Sequence, residues 1–179
     1  MYMSGSNIYK IILIGDTGVG KSTFLAYASL PTYDVHVNVS TPTVGVDFQA
    51  INIREPENMR LHVWDTAGQE IFRSIVPYYF RAAAVALVFF DMYEETTLDN
   101  IPFWLDNLLD DSDRMPVILL VGNKARSPRR RDDIFRTAIS EDKIRLMAER
   151  YKADYLITSI KERSEEHTSE LQSRLHLVC

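Results

Sequence analysis

A chain of 179 residues is long enough for one domain with a buried core, and too short for two of ordinary size. Its apolar share of 46% and charged share of 25% are those of a globular protein, which excludes a disordered chain or a fibre. A net charge of −5 argues against a nucleic-acid surface, a single cysteine excludes an internal disulfide and suits a reducing compartment, and no apolar run reaches the roughly 18 residues of a membrane span.

The chain opens without the basic and then apolar regions of a signal peptide. Ile8–Ile14 is an apolar, β-branched run and predicts a strand. Lys21–Ser29 then reads as a helix. Pro31–Pro42 shows neither strand nor helix period, and a loop of that length is often functional. Val46–Arg54 and Met59–Asp65 read as strands; Glu55-Pro56-Glu57-Asn58 between them is a short turn, so the pair should be antiparallel. A helix at Ile71–Phe80, a strand at Ala84–Phe90, a helix at Thr97–Leu109 and a strand at Val117–Val121 follow. Arg129-Arg130-Arg131 reads as a solvated loop or as a contact for an acidic partner. Glu141–Tyr151 closes the helices, with Ser140 as its N-cap, and Tyr155–Thr158 is the last strand. The alternation predicts an α/β doubly wound, mostly parallel six-stranded sheet with helices on both faces, its ligand beyond the strands' carboxyl ends.

The run Gly15-Asp16-Thr17-Gly18-Val19-Gly20-Lys21-Ser22 joins the first strand to the first helix and fits G-x-x-x-x-G-K-[ST]. Its glycines allow a tight turn that aims several N–H groups at one anion, and the helix N-terminus adds partial positive charge. Lys21 can reach the outer phosphates of a nucleotide, and the Ser22 hydroxyl can ligate magnesium. Asp65 leaves a strand near this loop, where a carboxylate can hold the same ion.

With the phosphate loop, Trp64-Asp65-Thr66-Ala67-Gly68-Gln69-Glu70 resembles the Ras-like small GTPases. Thr43-Val44-Gly45-Val46-Asp47-Phe48, Gln69–Ile75 and Tyr79-Phe80-Arg81-Ala82-Ala83 resemble the switches of the Rab branch, which act in vesicle and membrane traffic. Gly122-Asn123-Lys124 and Thr158-Ser159-Ile160-Lys161 resemble the two base-binding boxes, so the likeness runs from Ile8 to Lys161. It implies a nucleotide-dependent switch that binds GTP or GDP with Mg2+ and slowly hydrolyses GTP. The nucleotide would meet Gly15, Asp16, Thr17, Gly18, Val19, Gly20, Lys21, Ser22 and Thr23, then Thr43, Gly68, Asn123, Lys124, Ser159, Ile160 and Lys161. Ser22, Thr43 and Asp65 would hold the metal, and Gln69, with Lys21 and Thr43, would carry the hydrolysis by orienting the attacking water. Effectors, an exchange factor and a GTPase-activating protein would bind residues 43–48 and 64–81. Phe48, Trp64 and Tyr79 match an effector-facing aromatic cluster, core packing being the other reading. The family works in the cytoplasm and reaches the cytoplasmic face of an endomembrane through a C-terminal lipid anchor.

Three positions depart from the family. Arg126 stands where an aspartate reads guanine, and a guanidinium has no acceptor to offer. Ile160 replaces a small residue beside the base, and Thr17 could crowd Gln69 and slow hydrolysis. These departures leave a second reading open, a pseudo-GTPase interaction module with weakened guanine binding. A small-molecule kinase of the phosphate-loop class fits the Trp64–Glu70 run less well. Arg163–Ser173 resembles the conceptual translation of a sequencing-adapter oligonucleotide. The domain is therefore expected to occupy residues 1–162, with its final helix missing or replaced by residues 163–179, around which no C-a-a-X pattern is found.

Overall fold

The computed structural model describes residues 7–29, 43–53, 59–68, 79–111, 114–123 and 138–158. Six strands, β1 (Asn7–Gly15), β2 (Val46–Ile53), β3 (Met59–Thr66), β4 (Val85–Asp91), β5 (Val117–Asn123) and β6 (Asp154–Thr158), form one sheet in the order β2-β3-β1-β4-β5-β6. Only the β2–β3 pair is antiparallel, as the turn between them predicts. The helices are α1 (Lys21–Ala28), α2 (Glu95–Asp99), α3 (Ile101–Asp111) and α4 (Glu141–Tyr151). None of them is long and apolar enough to cross a membrane.

Alternation along the central strands sorts the core onto two faces. Ile12, Ile14, Val88, Phe90 and Leu120 point to one, where they meet Leu98, Ile101, Trp104, Leu105, Leu108, Ile144 and Ala148 of α2, α3 and α4. Leu13, Val63, Leu87, Phe89 and Val121 point to the other, packed with Val19 and with Leu25 of α1. Strand β4 is buried along nearly its whole length because helices cover both sides.

The helix expected at Thr97–Leu109 is two helices, and Pro102 is the reason. It has no N–H to give the Leu98 carbonyl, and its ring would press on that carbonyl in a continuous helix. So α2 stops with Asn100 as its C-cap, and α3 restarts with Pro102 in its first turn, where a missing N–H costs nothing. Ser140 takes the predicted N-cap position of α4, in extended conformation, but its hydroxyl makes no capping bond. The helix at Ile71–Phe80, the loop at Pro31–Pro42, the arginine cluster and residues 159–179 lie outside the described residues, apart from Tyr79 and Phe80.

Candidate functional site

Strand β1 ends where the chain must turn sharply. Gly15 has φ 133°, and a Cβ there would stand 2.3 Å from the Phe89 carbonyl oxygen, so the approach of β1 to β4 admits only glycine. Gly20 caps α1 at φ 98° and provides no side chain to the first-turn N–H groups, which stay available to an anion. Lys21 folds back into the loop: it is buried, and its Nζ donates to the carbonyl oxygens of Gly15 and Asp16, both at 2.8 Å.

Burial lowers the Lys21 pKa from 10.5 to about 8, against the pull of the Asp65 and Asp16 charges. The sign of the consequence follows from linkage. Between about pH 8 and 10.5 the unfolded chain holds this proton and the folded chain loses it, so stability of the ligand-free fold rises with pH in that window. If Lys21 meets phosphate it does so as the ammonium, and nucleotide affinity should then fall over the same window. Calorimetry near pH 9, in buffers of different ionisation enthalpy, should register proton uptake on binding.

In the β1–β3 register Asp65 lies beside Leu13, which sets a carboxylate next to the start of the loop. Ser22 Oγ donates to Asp65 Oδ2, and Thr43 Oγ1 stands 2.7 Å from Ser22 Oγ and 3.2 Å from Asp65 Oδ2, its one proton within reach of either. Asp65 is buried, and its Oδ1 has no hydrogen-bond partner among the described residues. Burial raises its pKa, opposed by the Ser22 hydrogen bond, the Lys21 charge and the Thr43 hydrogen bond. Two hydroxyls and one carboxylate on a single point are hard oxygen donors. They suit Mg2+, which takes all-oxygen coordination, commonly one or two carboxylates together with phosphate and water.

Gly68 follows β3 and lies against the loop, since a Cβ on it would come within 2.5 Å of the Asp16 carbonyl carbon and 2.6 Å of the Thr17 nitrogen. Gly68→Ala should therefore push the two segments apart. If the Gly68 amide meets the γ-phosphate, affinity for GTP should drop about tenfold or more while GDP changes less, as competition between fluorescent analogues would measure.

Asn123 ends β5, completely buried; its Nδ2 donates to the Val19 carbonyl at 2.8 Å, which ties the first base box to the phosphate loop. Its Oδ1 has no partner among the described residues. Lys21, Ser22, Thr43, Asp65, Gly68 and Asn123 thus gather at the carboxyl ends of β1, β3 and β5, whereas Gln69, Lys124, Arg126, Ser159, Ile160 and Lys161 lie outside the described residues. Thr17 and Gly18 are exposed at the loop's tip.

Phe48 and Trp64 face each other across the β2–β3 register with ring centroids 4.9 Å apart, and Tyr79 continues the row at 5.5 Å. Phe48 is 44% exposed, so the row begins at the surface and enters the core only through Trp64. Spacing gave no hint of two further contacts: Asn100 and Trp104 both donate to the Asp16 carboxylate. The one available clue was general, that a buried indole N–H needs an acceptor.

The sequence pattern of the Ras family matches residues 10–172. The Ras-related protein Rab11B of Nicotiana tabacum is 38% identical over 156 residues, 87% of this chain and 68% of that protein. The Ras-related protein RGP2 of Oryza sativa subsp. japonica is 37% identical over 88% of this chain and 69% of its own length, and the Ras-related protein rab-11.1 of Caenorhabditis elegans 36% over 85% and 68%. The likeness spans both the sheet and the loop that follows its central strand β1, and on that ground the chain belongs to the Ras family of small GTPases, in its Rab branch.

Proposed function

We propose that this chain is a guanine-nucleotide-dependent switch of membrane traffic that binds GTP and GDP with Mg2+ and slowly hydrolyses GTP. The observation that supports it most is the meeting of Ser22, Thr43 and Asp65 beside the buried Lys21. Lys21 brings a full positive charge to the outer phosphates, and the loop amides and the start of α1 add partial charges. Ser22, Thr43 and Asp65 would hold Mg2+, which supplies positive charge to the polyphosphate when bound. Phosphoryl transfer asks the protein mainly for such positioning and charge.

Thr43 precedes β2 and Gly68 follows β3, and these strands are hydrogen-bonded to each other. A pull on either residue is thereby felt by the pair that carries Phe48 and Trp64. Residues 43–48 and 64–81 are accordingly the segments through which effectors, an exchange factor and a GTPase-activating protein would act. A lipidated C-terminus is the expected attachment to the cytoplasmic face of an endomembrane. The domain is assigned to residues 1–162. A pseudo-GTPase interaction module with weakened guanine binding gains no support from the relatives.

Gln69→Leu tests the catalytic half. Because water positioning matters chiefly in the transition state, single-turnover hydrolysis should slow about tenfold or more while GTP affinity stays within about threefold. Equal rates would remove Gln69 from the mechanism. A parent chain that binds neither GTP nor GDP would overturn the proposal as a whole.

A further inference from the structure

Asp16 sets a carboxylate, of the same sign as a polyphosphate, within the phosphate loop. Both of its oxygens are engaged. Asn100 Nδ2 donates to Oδ2 at 2.7 Å and Trp104 Nε1 donates to Oδ1 at 2.9 Å, from positions 84 and 88 residues further along the chain. The backbone of the same residue serves two other partners. Its carbonyl accepts from Lys21 Nζ at 2.8 Å, and its peptide is the surface against which Gly68 lies.

The donors come from a rigid place. Trp104 is 2% exposed and packs in the larger core with Ile101, Leu105 and Leu108. Asn100 sits at the joint between α2 and α3, which Pro102 fixes. Charge-assisted hydrogen bonds to a carboxylate are directional and strong, so two of them fix a side chain in both position and rotation. Trp104 and Asn100 therefore reach from the larger core to a loop that otherwise packs, through Val19, on the opposite face with α1.

We propose that Asp16 is a positioning residue: Asn100 and Trp104, acting through its carboxylate, hold the phosphate loop in the shape that keeps Lys21 and Gly68 in register for the nucleotide. The consequence for nucleotide release rests on the switch reading above; the effect on the loop itself does not. Releasing the carboxylate frees the Asp16 peptide, and with it the carbonyl that anchors Lys21. The bound nucleotide then leaves faster.

The test uses the full chain with two readouts: amide hydrogen exchange of peptides spanning residues 15–22 without nucleotide, and release of a fluorescent GDP analogue. Asn100→Asp sets a carboxylate against a carboxylate. Asp16→Asn leaves one oxygen for two donors. Each should speed loop exchange and nucleotide release by about tenfold or more. In the double variant the roles are exchanged, since the amide at position 16 can donate to a carboxylate at position 100 and still accept from Trp104. It should return both readouts to within about threefold of the parent, a recovery that pairing predicts and general damage does not. Unchanged exchange and release in the single variants would overturn the proposal, as would losses spread evenly over the sheet that the double variant fails to recover. Should Asn100→Asp not fold, Trp104→Phe removes one donor and keeps an aromatic, though smaller, ring. Faster exchange confined to the loop then supports the proposal, and none overturns it. A parent chain that binds no nucleotide defeats the switch reading, while the exchange arm still decides the role of Asp16.

Discussion

Lys21→Ala should weaken GTP binding by about 10²–10⁴-fold, because it deletes roughly two charge-assisted contacts of about 1.5–3 kcal/mol each. The fold should suffer far less. Lys21 is 4% exposed, and its lowered pKa records how poorly the interior tolerates a cation. Its removal leaves two carbonyls without their Nζ donor but also ends that burial cost. Titration with a fluorescent analogue beside thermal melting would separate the two effects. Parent-like affinity would show that the loop does not bind phosphate, and a collapse in melting temperature matching the lost affinity would make Lys21 a structural residue.

Arg126→Asp should act in the opposite direction, tightening GTP and raising its preference over ATP. Position 126 is where the family resemblance expects the base-reading aspartate, and Asn123, three residues before it, is fixed by its bond to Val19 at the carboxyl end of β5. A site that gains a matched polar contact can gain discrimination of up to about 10⁴-fold. Asp offers two acceptors where Arg offers none. The ratio of the two dissociation constants measures this, and an unchanged ratio would show that position 126 does not read the base.

Much of the architecture was legible because the sheet is covered on both sides. The buried stretches Ile12–Ile14 and Ala86–Phe90 have to be apolar, and the strands predicted around them, Ile8–Ile14 and Ala84–Phe90, lie within a few residues of those found. The phosphate loop was legible for a different reason: its glycines answer to backbone geometry, as Gly15 against Phe89 shows. The α2–α3 break was missed although Pro102 marks it, because the apolar period runs through the joint from Leu98 to Ile101 and Leu105. The Asp16 clamp was beyond reach in principle. Its donors are 84 and 88 residues away, and only the packing of α3 on the sheet brings them back to the loop. For Ser140 the residue type predicted the position but not the bond.

Strand β2 stands at the end of the sheet, with β3 as its single neighbour. Its side chains are half-buried or exposed throughout, whereas those of β4 are almost all buried. Opening free energies within one protein range from near zero at weakly packed edges to the full stability at the core, and contiguous pieces open together. On that scale β2, like β6 at the opposite end, is cheaper to unzip than the central strands, and Thr43 lies shortly before its first residue. The segment proposed to report on the nucleotide can therefore detach and reattach at a lower cost than β1, β4 and β5. A fold built this way can change its surface many times without ever approaching global unfolding.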